Sequence, residues 1–214
     1  MRIVVVGGHG KVALLLSPLL TARGDEVTAI IRNPAHRADT SAAGATPVVA
    51  DVEALDTGGI AAVLAGHDAV VWSAGAGGGN PARTYAVDRD AAIRTIDAAA
   101  VAGVRRLVMV SYLGSSPEHG VPPDSSFFPY AEAKAAADDH LRHSDLDFTI
   151  LGPTTLTLDP PTGRIDVSGT APGRVSRADV AAVVAEVLHR RDTIGRTIRF
   201  RAGDVPIADA LGSD

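Results

Sequence analysis

Tyr130 and Lys134 stand four residues apart in Tyr130-Ala131-Glu132-Ala133-Lys134, a spacing that puts both side chains on one face of a helix. The chain holds three tyrosines and only two lysines, Lys11 and Lys134. Chance would supply about 0.03 such pairs in a chain of this composition. The pairing has a chemical use. A free phenol ionises too high to be an effective acid-base catalyst near neutrality, and a neighbouring ammonium favours the phenolate. The same Lys134 is placed to hold the ribose hydroxyls of a nicotinamide. Ser111 precedes Tyr130 at the end of an apolar run, where its hydroxyl is expected to bond and orient a carbonyl oxygen. Ser111, Tyr130 and Lys134 are therefore the candidate catalytic residues.

A second constellation opens the chain. Gly7-Gly8-His9-Gly10-Lys11-Val12-Ala13 fits G-x-x-G-x-x-A from Gly7 and G-x-G-x-x-A from Gly8. In such a loop one glycine supplies a positive φ, Gly10 lets the backbone approach a pyrophosphate, and Ala13 lets the helix pack closely on the strand. The helix N-terminus then offers free N–H donors and a partial positive charge to the phosphates. The context supports the motif, because it joins the first predicted strand directly to the first predicted helix. Gly7, His9, Gly10, Lys11 and Val12 are thus expected against a dinucleotide. His9 sits inside the phosphate loop, where cofactor contact and simple solvent exposure are both open.

The residue after the second strand bears on which dinucleotide. An NAD site places Asp or Glu there for the ribose 2′-hydroxyl, whereas this chain has Arg32, a planar fork suited to a 2′-phosphate. NADP is expected over NAD, with Arg37 placed to assist. By position, Asp51 would accept from the adenine amino group and Val52 would pack on the ring. Ala74 and Gly75 are small enough to let the backbone pass close to the cofactor.

These residues need a scaffold, and the composition allows one. The 214 residues suit one domain, or one with a modest lobe. Hydrophobic residues make up 46% and charged residues 21%, which suits a folded chain. Cysteine is absent, so disulfides, thiolate metal sites and a cysteine nucleophile are excluded. The net charge of −5 argues against a general grip on nucleic acid. No apolar run is long enough to span a membrane, and Gly7-Gly8 interrupts the opening run too early for a signal-peptide core. The expectation is a cytoplasmic protein, monomer or homodimer, acting on a small molecule without nucleic acid or membrane partners. No metal site is expected. His140 and His143 lack a third ligand and, with Asp138, Asp139 and Arg142, read as a solvated face.

Continuous apolar runs alternate with helical stretches. Residues 2–6, 26–31, 46–50, 68–73, 105–111 and 147–151 read as strands. Helices are expected over 12–20, from Pro34, and over 53–64, 84–102, 130–143 and 176–190, with a last short strand over 197–201. This alternation predicts βαβ units and an α/β fold, a doubly wound parallel sheet with helices on both faces. Two stretches rich in Gly and Pro, 114–129 and 152–173, follow strand ends, where the ligand crevice of an open α/β sheet lies. Tyr112, Phe127 and Phe128 cluster around that crevice.

The motifs GGHGKVA, VSYLGS around Ser111, YAEAK and FTILGPT (Phe148 to Thr154) stand in the order found in the short-chain dehydrogenases/reductases. The later VSRADVAAVVAEVL (Val175 to Leu188) resembles the atypical, compact NAD(P)-binding branch. That branch includes proteins similar to biliverdin and flavin reductases and to the epimerase/dehydratase group. The resemblance covers nearly the whole chain. It implies a single Rossmann-type domain over 1–214, with 152–175 and 192–214 forming a small substrate-side lobe. It gives Ser111, Tyr130 and Lys134 the catalytic positions, sets Pro153 with Thr154 beside the nicotinamide, and makes Asp179 a structural carboxylate. The implied activity is NADP-dependent hydride transfer to or from a small carbonyl or conjugated substrate. An epimerase or dehydratase and a non-catalytic NADP-sensing regulator are the alternatives.

Overall fold

β1 (Arg2–Val6) is buried on both faces, and its alternate residues feed two separate cores. Ile3 and Val5 enter one, Val4 and Val6 the other, as the period-two geometry of a strand requires. The computed structural model describes residues 1–169 and 171–212. Thr170, Ser213 and Asp214, which the expected lobe includes, lie outside the described residues.

After β1 come α1 (Lys11–Ala22), β2 (Glu26–Ile31), α2 (Arg37–Ala42), β3 (Thr46–Val49), α3 (Thr57–Leu64) and β4 (Ala69–Trp72). A continuous helical segment follows, built from α4 (Pro81–Thr84), a π-helical stretch (Tyr85–Ala91) and α5 (Ala92–Val101). Then come β5 (Arg106–Val110), α6 (Phe128–Arg142), β6 (Asp147–Pro153), β7 (Thr155–Thr157), β8 (Arg164–Asp166), β9 (Arg174–Ser176) and α7 (Arg177–Leu188). β10 (Arg196–Ala202), β11 (Val205–Pro206) and α8 (Ile207–Leu211) complete the chain.

The central sheet has nine strands in the order β11-β8-β10-β6-β5-β4-β1-β2-β3. Neighbours from β10 to β3 pair in parallel, and β8 and β11 extend the β10 edge antiparallel. Helices cover both faces: α1 and α7 pack on the core of Ile3 and Val5, α3, α5 and α6 on that of Val4 and Val6. This is the Rossmann-like doubly wound fold. The strand order reverses between β1 and β4, and the crevice beyond their C-terminal ends is where such folds hold a dinucleotide.

Four differences from the sequence reading have physical causes. The helix expected over 53–64 begins at Thr57, because Asp56 caps it through Gly59 N–H at 2.7 Å and residues 51–56 turn instead. The helix expected from residue 84 begins at Pro81, where Asn80 caps it and Pro81 suits the first turn. The 152–173 stretch is partly strand: β7 pairs with β9, and β8 joins the central sheet. Asp179 holds this excursion, accepting from the N–H groups of Thr162 and Gly163 and the hydroxyl of Ser176. Last, Asp138 is not on a solvated face but fully buried.

Arg106 is buried where β5, β6 and α7 meet. Its guanidinium donates to the carbonyls of Asp147 and Val187 at 2.7 Å and to the Thr149 hydroxyl at 2.9 Å. Burial pulls its pKa down to about 10, only partly offset by Asp147. Arg106→Met would strand those acceptors, including a carbonyl in the last turn of α7. Thermal unfolding should show a loss of about 2–4 kcal/mol, or roughly 5–15 °C in Tm.

Candidate active site

The loop after β1 is built for a close backbone approach. Gly7 has φ +83°, and a Cβ there would stand 2.6 Å from Ala74 Cα at the end of β4. A Cβ at Gly10 would stand 3.0 Å from the Gly7 carbonyl oxygen. Gly10 begins α1 with no side-chain cap, which leaves the first-turn N–H groups to a ligand. The uncapped helix end and the glycine floor fit a dinucleotide pyrophosphate.

Two cavities meet at this loop and share Gly10, Ser73, Ala74 and Gly75. The smaller, about 250 Å³, is lined on one side by Gly7, His9, Arg32 and His36 and on the other by Asp51, Val52, Glu53 and Arg83. This is where the adenosine end of a dinucleotide would lie. The His9 and His36 rings stack with centroids 3.6 Å apart, and His9 Nε2 lies 3.0 Å from Asp39 Oδ2. Arg32 donates to Glu53 Oε2 at 3.3 Å, and Arg83 Nε lies 3.6 Å from the same oxygen. Asp51 turns Oδ1 to the Glu53 N–H at 3.0 Å. Glu53, Arg83 and His36 were not singled out from sequence. Their partners lie on other elements, so no local spacing marks them.

The larger cavity, about 1020 Å³, is a cleft that brings together Lys11, Val12, Gly75, Asp88, Ser111, Tyr130 and Lys134. Phe127, Leu156 and Arg177 line it further out. Arg177 donates to the Leu156 carbonyl at 3.1 Å and makes no ion pair among the described residues. Tyr112, Phe127 and Tyr130 form an aromatic group with centroids 5.2–5.5 Å apart. Pro153 lies apart from both cavities. It is buried at the end of β6, and its carbonyl accepts from Leu113 N–H at 2.9 Å.

The electrostatics of Tyr130 run opposite to the expectation from its spacing. Burial pushes its hydroxyl above the ordinary phenol value, and the carboxylates of Asp88 and Asp138 and the phenol of Tyr112 push it further. Lys134 does not offset this. It is buried, its Nζ donates to the Val110 carbonyl at 2.9 Å, and its charge faces Asp88. Burial likewise raises the Asp88 carboxyl, against the pull of Lys134, the Ala76 N–H and Arg83. Tyr130 is therefore a neutral phenol whose hydroxyl bonds to no other described residue. Ser111 also departs from expectation, since its hydroxyl donates to Asp138 Oδ2 at 2.5 Å.

Among the described residues no helix is long and apolar enough to cross a membrane, and no group of three or more His, Cys, Asp or Glu could hold a metal. His140 is half-exposed beside Asp97 at 2.7 Å.

A family model described as NAD(P)H-binding matches residues 7–191. The uncharacterized sugar epimerase YhfK of Bacillus subtilis (strain 168) is 35% identical over 214 residues, covering 99% of each chain. A solved protein of Bacillus halodurans, placed by its name with the NAD-dependent epimerases/dehydratases, is 36% identical. It superposes with TM-score 0.91 over 99% of this chain and 98% of its own. The oxidoreductase ylbE of Lactococcus lactis is 27% identical, with TM-score 0.87 over 99% of this chain and 95% of its own.

Proposed function

The chain belongs to the NAD(P)H-binding family, and on that premise we propose that it is an NADP-dependent oxidoreductase reducing a small carbonyl or conjugated substrate. One observation carries the reading: Tyr130 and Lys134 open into the same cleft as the glycine loop, Lys11 and Val12. When bound, the nicotinamide supplies the hydride. The residues do the rest. Tyr130, held neutral, gives its hydroxyl proton to the substrate oxygen as charge develops there. Lys134 donates to the Val110 carbonyl and to Met109 Sδ, and its remaining N–H suits a ribose hydroxyl. Asp88 balances the Lys134 charge inside the wall. Ser111 borders the substrate in the cleft, with its own proton turned inward to Asp138.

NADP rather than NAD is proposed because two guanidinium groups, Arg32 and Arg83, converge on one carboxylate, Glu53, beside the adenosine cavity. A 2′-phosphate can take the place of Glu53 in front of Arg32 as a charge-assisted, bidentate partner. Arg32→Ala should weaken NADPH by about 10–100-fold, with NADH changed less than about threefold. Calorimetric titration with both dinucleotides reads this directly. Equal losses would defeat the phosphate assignment.

The name of the Bacillus subtilis relative favours a second reading, a sugar epimerase in which the hydride leaves and returns. Screening NADPH oxidation against quinones, flavins and small carbonyl compounds separates the two. Net oxidation with any of them supports the reductase. Epimerisation of a sugar with no net change in the dinucleotide supports the alternative.

A further inference from the structure

Asp138 lies two helical turns beyond Tyr130 and one beyond Lys134, on the same face of α6. It is fully buried. Its Oδ2 accepts the hydroxyls of Ser111 and Ser115, each at 2.5 Å, and its Oδ1 has no partner among the described residues. No ion pair offsets it among the described residues, and the Lys134 ammonium donates to the Val110 carbonyl instead. A strut between α6 and β5 has no need of a charge here, since an apolar side chain would fill the space without the desolvation penalty. The hydrogen inventory shows what the carboxylate does. A serine has one proton to donate, and that of Ser111 goes inward to Asp138. Ser111 also lines the cleft, so it meets a ligand there with its oxygen lone pairs.

We propose that Asp138 is a positioning residue of the proton-transfer site: it takes the Ser111 proton from behind, turns the Ser111 oxygen to the ligand as an acceptor, and keeps Tyr130 in its proton-donating form. The proposal rests on Tyr130 being the proton donor of the reading above. The groups that face Tyr130 come from three elements: Asp88 from the π-helical stretch, Tyr112 from the segment after β5, and Asp138 from α6 itself. Lys134 donates to the Val110 carbonyl, and its charge acts on Asp88. As the substrate oxygen forms its O–H bond, the Tyr130 O–H bond breaks and leaves a phenolate beside two carboxylates. That crowding of negative charge drives the phenolate to take a new proton from solvent water in the open cleft, releasing hydroxide to bulk, and the site returns to its loaded state.

The test reads Tyr130 itself. Tyr85→Phe with Tyr112→Phe leaves Tyr130 as the sole tyrosine, and ultraviolet absorbance then follows its ionisation. In that background Asp138→Asn, which keeps the shape and removes the charge, should lower the midpoint by about one pH unit or more. An unchanged midpoint in a folded variant would overturn the proposal, and a side chain with only a packing role would give that result. A second measurement keeps Asp138 and so does not depend on the Asp138→Asn variant folding. The Ser111 hydroxyl should appear as a slowly exchanging downfield proton resonance that Ser111→Ala removes, and its absence would also overturn the arrangement. Neither measurement uses turnover. Failure of Asp138 is thereby distinguished from failure of the reductase reading, which the NADPH assay alone registers.

Discussion

Tyr130→Phe is expected to lower kcat by about 10²–10⁴-fold, while the affinity for NADPH stays within about twofold. The substitution is unusually clean here. The ring that packs against Tyr112 and Phe127 is kept, and the hydroxyl it removes bonds to no described residue. Stability should change by less than about 1 kcal/mol, so the kinetic loss reports chemistry rather than unfolding. Initial rates of NADPH oxidation with a turned-over substrate, set beside calorimetry of NADPH binding, give the two numbers. A variant that turns over as fast as the parent would remove Tyr130 from the reaction. The pH dependence follows from the direction of the shift. A phenol pushed above its ordinary value stays protonated through neutrality, so its contribution to reduction is level there and is lost only as pH rises through the raised value.

The parts of the site legible in the sequence are those encoded by local spacing. The β1–glycine–α1 unit was readable because a β-branched run, a turn of glycines and a small residue at Ala13 are contiguous. The Tyr130–Lys134 pair was readable because both lie on one helix. The same arithmetic could have found Asp138, four residues beyond Lys134, but its charged neighbours suggested a solvated face. Asp88 was harder, because it lies in a π-helical stretch, and the wider turn shifts the phase that ordinary helical spacing assumes. Charge partners were out of reach. Whether Lys134 faces Tyr130 or Asp88, and whether Arg32 is free or bound to Glu53, depends on elements brought together only by the fold. The sign of the Tyr130 shift followed from that. Spacing supplied a cation, whereas burial and the two carboxylates decide the outcome.

Gly7→Ala is expected to reduce NADPH affinity by about 5–30-fold, even though alanine adds a single methyl group. Two penalties combine. At φ +83° an alanine adopts a backbone conformation that costs about 1–2 kcal/mol. Its Cβ would also stand 2.6 Å from Ala74 Cα and 2.7 Å from Ala74 N, both backbone atoms that cannot rotate away. Relief requires β1 and β4 to part at their C-terminal ends or the loop to leave its turn. Either change moves the uncapped start of α1 and the Ala74–Gly75 wall, which the two cavities share. Together the penalties come to about 2–4 kcal/mol, divided between a lower Tm and weaker binding. The fall in affinity should be nearly equal for NADPH and NADH, because the pyrophosphate is common to both. That symmetry separates Gly7 from Arg32, whose loss falls on NADPH. A Gly7→Ala protein that binds both dinucleotides as tightly as the parent would show that the pyrophosphate is held somewhere other than this loop.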